Sequence, residues 1–163
     1  MIKRMGKKAI ALISLAILLA VMIMLAGVVS YVASDMITNS KLVKFSKDMT
    51  TIYDAVQEYY AVNGAIPVRE GGLELDVAEY KSNVTNGDYL NVLTNEIAGN
   101  QDENSTFFQI DMTKIGIEDS TYGIEKTSKD IFLVSNGSNL IYYYPGFKIK
   151  GDIYFSSSYI LDK

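Results

Sequence analysis

Residues 42–63, LVKFSKDMTTIYDAVQEYYAVN, carry an apolar stripe at helical spacing. Leu42, Phe45, Met49, Ile52, Val56 and Tyr59 recur at alternating steps of three and four, which aligns them on one face of a helix. Tyr53 and Tyr60 flank the stripe and widen it, as suits a helix lying on a sheet. Lys44, Lys47, Asp48, Asp54 and Glu58 fall on the other faces. Asn63-Gly64 reads as the stop, because glycine accepts the left-handed conformation beyond a helix end, and Pro67 prevents resumption. The stripe admits three arrangements: packing on the chain's own globular part, a coiled coil with another copy, or domain packing below while the upstream half bundles with other subunits. Two heptads are short for a free-standing coiled coil, so packing on the domain that follows is the expected arrangement.

Upstream, Ala9 to Ser34 (AIALISLAILLAVMIMLAGVVSYVAS) is a run of 26 residues without a charge. As a helix it spans about 39 Å, enough to cross a hydrocarbon core of about 30 Å. A cleaved secretory signal is the competing reading, but its apolar region usually runs about 7–15 residues, and Tyr31-Val32-Ala33 is a poor small-x-small cleavage site. Lys3, Arg4, Lys7 and Lys8 precede the run and place the N-terminus in the cytoplasm, with the C-terminal part outside. With no proline between residues 10 and 63, one continuous helix of about 80 Å is expected, apolar all round in its first half and amphipathic in its second. Small residues Ala16, Ala20, Ala26 and Gly27 allow close helix approach in the apolar half. The chain thus divides into a basic leader (1–9), a transmembrane helix (10–34), its amphipathic continuation (35–63) and a globular part (64–163).

Downstream, residues 68–104 are polar, with turn signals at Gly71-Gly72, Asn86-Gly87 and Gly99-Asn100, and two short helices are expected at Leu73–Lys81 and Tyr89–Ile97. Thr106–Ile110 and Ile131–Ser135 read as strands from their β-branched and aromatic content. Asn136-Gly137 signals a type I′ hairpin turn leading into Asn139–Tyr144. Phe147–Lys150 and Ile153–Ser156 form a second hairpin around Gly151-Asp152. A small antiparallel sheet of three or four strands needs a helix on one face, and the 42–59 stripe supplies it. The fold class is α+β.

Composition narrows the chemistry. The 163 residues hold no histidine and no cysteine, which excludes zinc sites built on them, Cys nucleophiles, Ser-His-Asp triads, haem or iron–sulfur ligation and disulfides. Of 15 Lys+Arg, four lie in the first eight residues, leaving 11 cations against 19 anions from Asp35 onward. So acidic a distal part argues against direct nucleic-acid binding, which draws on clustered Lys and Arg. Glu74 with Asp76, Asp102 with Glu103, and Glu118 with Asp119 are paired carboxylates of the kind a glycosidase needs, but each pair sits in a polar segment without a recognisable constellation, so no enzyme activity is expected. Asn100, Asp102, Glu103 and Asn104 offer oxygen atoms for calcium, yet their spacing is not that of an EF-hand loop, and a solvated acidic loop is the expectation. No metal or cofactor is expected.

Lys8-Ala9-Ile10-Ala11-Leu12-Ile13-Ser14-Leu15 resembles the prepilin cleavage signal of type IV pilins and pseudopilins in its Gram-positive form. Asp54–Pro67 resembles the end of the pilin helix and the first turn beyond it. Tyr122-Gly123, Asp130–Ser135 and Leu140–Tyr144 are similar to the β-meander of clostridial and bacillar pilin-like proteins. The resemblance covers about two thirds of the chain, residues 68–104 being the gap. It implies a pilin-like fold and a structural subunit, taken as minor, of a type IV pilus, secretion pseudopilus or DNA-uptake filament. It further implies cleavage by a prepilin peptidase between Ala9 and Ile10, methylation of the new terminus, and assembly with other subunits through an inner-membrane platform into an extracellular filament. Two departures stand out. Ala9 occupies the place where the family usually has Gly; Gly6 is rejected because a cut there carries Lys7 and Lys8 toward the membrane. Ser14 stands where the family usually has Glu, so it cannot form the charge pair with a neighbour's terminal amine. The competing reading is a permanently anchored, single-pass extracellular binding or sensing domain, never cut at Ala9.

Overall fold

The computed structural model describes residues 2–119, 122–123 and 130–158, and within the first helix the side chains of 15, 17–24 and 36–63. Helix α1 (Ile2–Asn63) leads the chain. It is followed by β1 (Glu74–Asp76), α2 (Val77–Asn83), α3 (Gly87–Gly99), β2 (Thr106–Gln109), β3 (Phe132–Ser135), β4 (Ile141–Ile149) and β5 (Asp152–Ser156). The five strands form one antiparallel sheet in the order β1-β2-β3-β4-β5, so the architecture is α+β. By internal contacts the chain divides into Met1–Ser40, helical from Ile2, and Lys41–Lys163, which holds the sheet.

Helix α1 ends where the sequence indicates. Gly64 takes φ +67° and its N–H donates to Tyr60 O at 2.8 Å, closing the last turn. The stripe faces the sheet: Phe45, Met49, Ile52 and Val56 are buried, with Leu42 and Tyr53 packed at the margin. Tyr60, expected to widen the stripe, is instead exposed. Asp48, expected on an outer face, is buried. Its carboxylate accepts from Lys44 Nζ at 2.7 Å and from the Gly123 N–H at 3.2 Å, while Lys44 also donates to Gly123 O. The polypeptide comes down onto α1 at Gly123, covering a charge that the helical wheel assigns to solvent.

Two faces of the sheet are buried, not one. Strand alternation sorts the side chains. Phe132, Val134, Ile141, Tyr143 and Tyr154 meet α1, whereas Leu133, Tyr142, Ile153 and Phe155 meet a second cluster with Phe107, Tyr80, Leu93 and Ile97. Helices α2 and α3 supply that second cover. Burial on both sides explains why β3 and β5 read as nearly unbroken apolar runs.

Three local expectations are corrected. The segment expected to be helical from Leu73 to Lys81 begins as strand: Glu74, Leu75 and Asp76 pair with Phe108, Phe107 and Thr106. The helix starts only after Asp76, whose carboxylate accepts from the Glu79 N–H while Glu79 reaches back to the Asp76 N–H in a capping box. The segments 139–144 and 147–150 belong to one strand, β4, irregular between Tyr142 and Phe147. Pro145 there has no N–H to offer a ladder. At Gly146, φ +71°, a Cβ would sit 2.7 Å from Phe155 Cζ. The type I′ turn is not at Asn136-Gly137. It is at Lys150 (φ +51°) and Gly151 (φ +99°), between the paired Ile149 and Asp152. The β3–β4 connection is longer, with its left-handed residue at Asn139 (φ +58°).

Candidate functional site

Two places hold the residues to which the sequence assigns a role. The first is the start of α1. Lys3, Arg4, Lys7, Lys8, Ala9, Ile10 and Ser14 all lie on its helical backbone, and their side chains fall outside the described residues, as do those of Ala16, Ala26 and Gly27. Within the uncharged run the described side chains are those of Leu15 and Ile17–Met24, and the large apolar ones are 48–72% exposed. Met36 and Ile37 are exposed as well. Large apolar side chains therefore face outward around this part of the helix. Among the described residues, no helix is long and apolar enough to cross a membrane.

The second place is the 100–104 loop. Glu103 and Asn104 are exposed, but Asp102 is wholly buried. Its Oδ1 accepts from Ser105 Oγ (2.9 Å), Ser135 Oγ (2.6 Å) and the Ser138 N–H (3.1 Å), and its Oδ2 from Ser138 Oγ (2.7 Å) and Tyr142 Oη (2.8 Å). Both carboxylate oxygens are thus committed to donors within the chain, which corrects the expectation of a solvated loop. No group of three or more acidic side chains able to hold a metal ion occurs among the described residues. Asn100 extends the network by donating to Tyr142 Oη and Ser156 Oγ. Burial, and the Asp102 charge beside it, push the Tyr142 hydroxyl far above its ordinary pKa, so it stays a donor. Gly137 closes the cage by having no side chain: a Cβ there would collide with Ser105 Oγ and lie 2.8 Å from Asp102 Oδ1. Ser135, Ser138 and Tyr142 lie 33, 36 and 40 residues from Asp102 in sequence, and no local pattern marks them as its partners.

Among the described residues the other carboxylates do not converge. Glu74 and Asp76 flank buried Leu75 on the edge strand, where Asp76 caps α2, and Asp119 meets Arg69 at 3.3 Å. Glu96, which no motif marked, ties α3 to β5 by accepting from the Phe155 and Ser156 N–H groups at 3.2 and 2.7 Å. Burial raises its pKa above the ordinary 4.5, against the lowering effect of those same bonds. Beside it a groove of about 400 Å³ runs between α3 and β5, lined by Val92, Asn95, Gly151 and Tyr154. None of these places brings together a nucleophile, a base and an oxyanion donor for an external substrate. Compared with protein-family models, curated proteins and solved structures, the chain matches none.

Proposed function

We propose that this chain is a pilin-like structural subunit, a minor one, of a type IV pilus-like or pseudopilus filament. It is made as a prepilin with its N-terminus in the cytoplasm and its sheet-bearing part outside. A prepilin peptidase cuts between Ala9 and Ile10, next to Lys7 and Lys8, and the assembly machinery then draws the helix from the membrane into the filament. The observation that carries this reading is the apolar surface of α1 at Leu15 and Ile17–Met24, exposed on all sides of a helix whose later half is seated on an antiparallel sheet. Such a surface costs about 25 cal/mol per Å² while it faces water, and either lipid or neighbouring helices remove that cost. A filament core differs from a bilayer in offering partners for Ala16, Ala20, Ala26 and Gly27.

The test is the mature N-terminus. The protein is co-expressed with its native prepilin peptidase and the terminus is read by mass spectrometry. The expected species begins at Ile10 and carries a methyl group. A chain that keeps Met1 in the presence of active peptidase overturns the proposal and leaves a permanently anchored single-pass domain.

A further inference from the structure

The sequence holds three Asn-Gly pairs, Asn63-Gly64, Asn86-Gly87 and Asn136-Gly137, and the structure separates them sharply. An asparagine followed by glycine can close on itself: the glycine nitrogen attacks the side-chain carbon Cγ, with no Cβ in the way. At Asn63-Gly64 the nucleophile is engaged, since the Gly64 N–H donates to Tyr60 O and Asn63 Nδ2 donates to Tyr59 O. Asn86 caps α3, its Oδ1 accepting from the Asp88 and Tyr89 N–H groups. Its ψ of 123° turns the Gly87 nitrogen well away from eclipsing Cβ, as ring closure requires.

At Asn136-Gly137 the neighbours are different in kind. Both residues are exposed, in the β3–β4 connection. The Thr106 N–H donates to Asn136 Oδ1 at 2.9 Å, so a backbone donor already sits on the oxygen that becomes negative when Cγ is attacked. The Gly137 N–H donates to Ser135 Oγ at 3.1 Å, and Ser135 Oγ donates to Asp102 Oδ1 at 2.6 Å. The nucleophile's proton therefore has a two-step path to a carboxylate. The leaving nitrogen, Asn136 Nδ2, has no partner among the described residues.

We infer that Asn136-Gly137 is a self-modifying site at which Asn136 deamidates through a cyclic imide, with Thr106 N–H as oxyanion donor and Ser135–Asp102 as proton relay. The Gly137 nitrogen forms a bond to Asn136 Cγ as its proton passes to Ser135 and that of Ser135 to Asp102. The Cγ–Nδ2 bond then breaks and the relay returns the proton, so nitrogen leaves as ammonia. Water opens the imide at either carbonyl, giving Asp or isoaspartate at position 136. Aspartate adds a negative charge beside the Asp102 cage. Isoaspartate adds a methylene to the backbone just before Gly137, where the cage has no room for even a Cβ. That product loosens the Ser138 N–H bond to Asp102 and with it the β3–β4 corner.

The full chain, purified in mild detergent, is incubated at neutral pH in water enriched in heavy oxygen, alongside a sample unfolded in denaturant. Peptide mass spectrometry follows the three Asn-Gly pairs. In the folded chain, Asn136 is expected to convert at least about tenfold faster than Asn63 or Asn86. It should also convert faster than in the unfolded chain, with heavy oxygen incorporated and both aspartate and isoaspartate formed. Ser135→Ala is expected to slow conversion in the folded sample and leave the unfolded rate unchanged. Conversion of Asn136 no faster than the other two pairs, or slower folded than unfolded, overturns the inference, because the same hydrogen bonds then protect the amide. That comparison uses the unsubstituted chain and stands whether or not Ser135→Ala folds.

Discussion

Asp102 and Tyr80 show how differently two buried polar groups bear on stability. Asp102 has five donors on its carboxylate and no exposure. In Asp102→Asn an NH₂ group faces hydroxyls and an N–H that still need an acceptor, so at least one buried donor is stranded. The expected loss is about 2–4 kcal/mol, measured by urea unfolding. Tyr80 is the reverse case. Its ring packs on Phe107, Tyr142, Tyr144 and Phe155, but its hydroxyl is buried with no hydrogen-bond partner among the described residues. Tyr80→Phe keeps the ring contacts and deletes the stranded group, so stability should be unchanged or rise by about 1 kcal/mol. A clear loss in Tyr80→Phe would mean that the hydroxyl has a partner in solution, and a neutral Asp102→Asn would mean that the cage admits water.

Among the elements, α1 was the most legible because its signal is redundant. Phe45, Met49, Ile52 and Val56 repeat the same spacing, and Gly64 marks the stop independently. Strands β2, β3 and β5 were legible for the same reason. What failed were signals carried by one or two residues. Edge strand β1 has three residues and borrows its conformation from β2, so no local pattern distinguished it from the first turn of α2, although the Asp76-x-x-Glu79 box in fact marks the boundary. Asn136-Gly137 suits a type I′ turn by propensity, but the cage around Asp102 draws the connection into another shape and uses Gly137 for space instead of for positive φ. The polar site itself was illegible, since Ser135, Ser138 and Tyr142 meet Asp102 only through the sheet. At this scale the stripe makes a prediction. Ile52 is fully buried at the centre of the α1 contact, so Ile52→Ala removes methyl groups from a packed site. The expected cost is about 2–4 kcal/mol, read from the shift of the denaturation midpoint at unchanged slope, whereas Val43→Ala on the exposed face should cost under about 0.5 kcal/mol. Equal effects at the two positions would mean that α1 does not seat on the sheet by this face.

At the scale of the whole molecule, the two halves of the chain put opposite demands on solvent. Among the described residues, both apolar clusters, the strands and the Asp102 cage lie from Lys41 onward. Before it, Leu15, Ile17–Met24, Met36 and Ile37 present apolar side chains outward. The stability of the sheet and the apolar exposure of the upstream helix are therefore separable. A chain beginning at Lys41 is expected to be monomeric in aqueous buffer and to unfold in one cooperative transition. Its midpoint should lie within a few degrees of that of the full chain in detergent, with only the first turn or two of the shortened helix frayed. The full chain should require detergent or lipid to stay dispersed, because its exposed helix offers every other copy an apolar surface. Calorimetry on both forms, with light scattering of the full chain as detergent is withdrawn, decides the matter. A fragment that melts without cooperativity would show that the upstream helix is part of the folding unit and that the sheet depends on it for its stability.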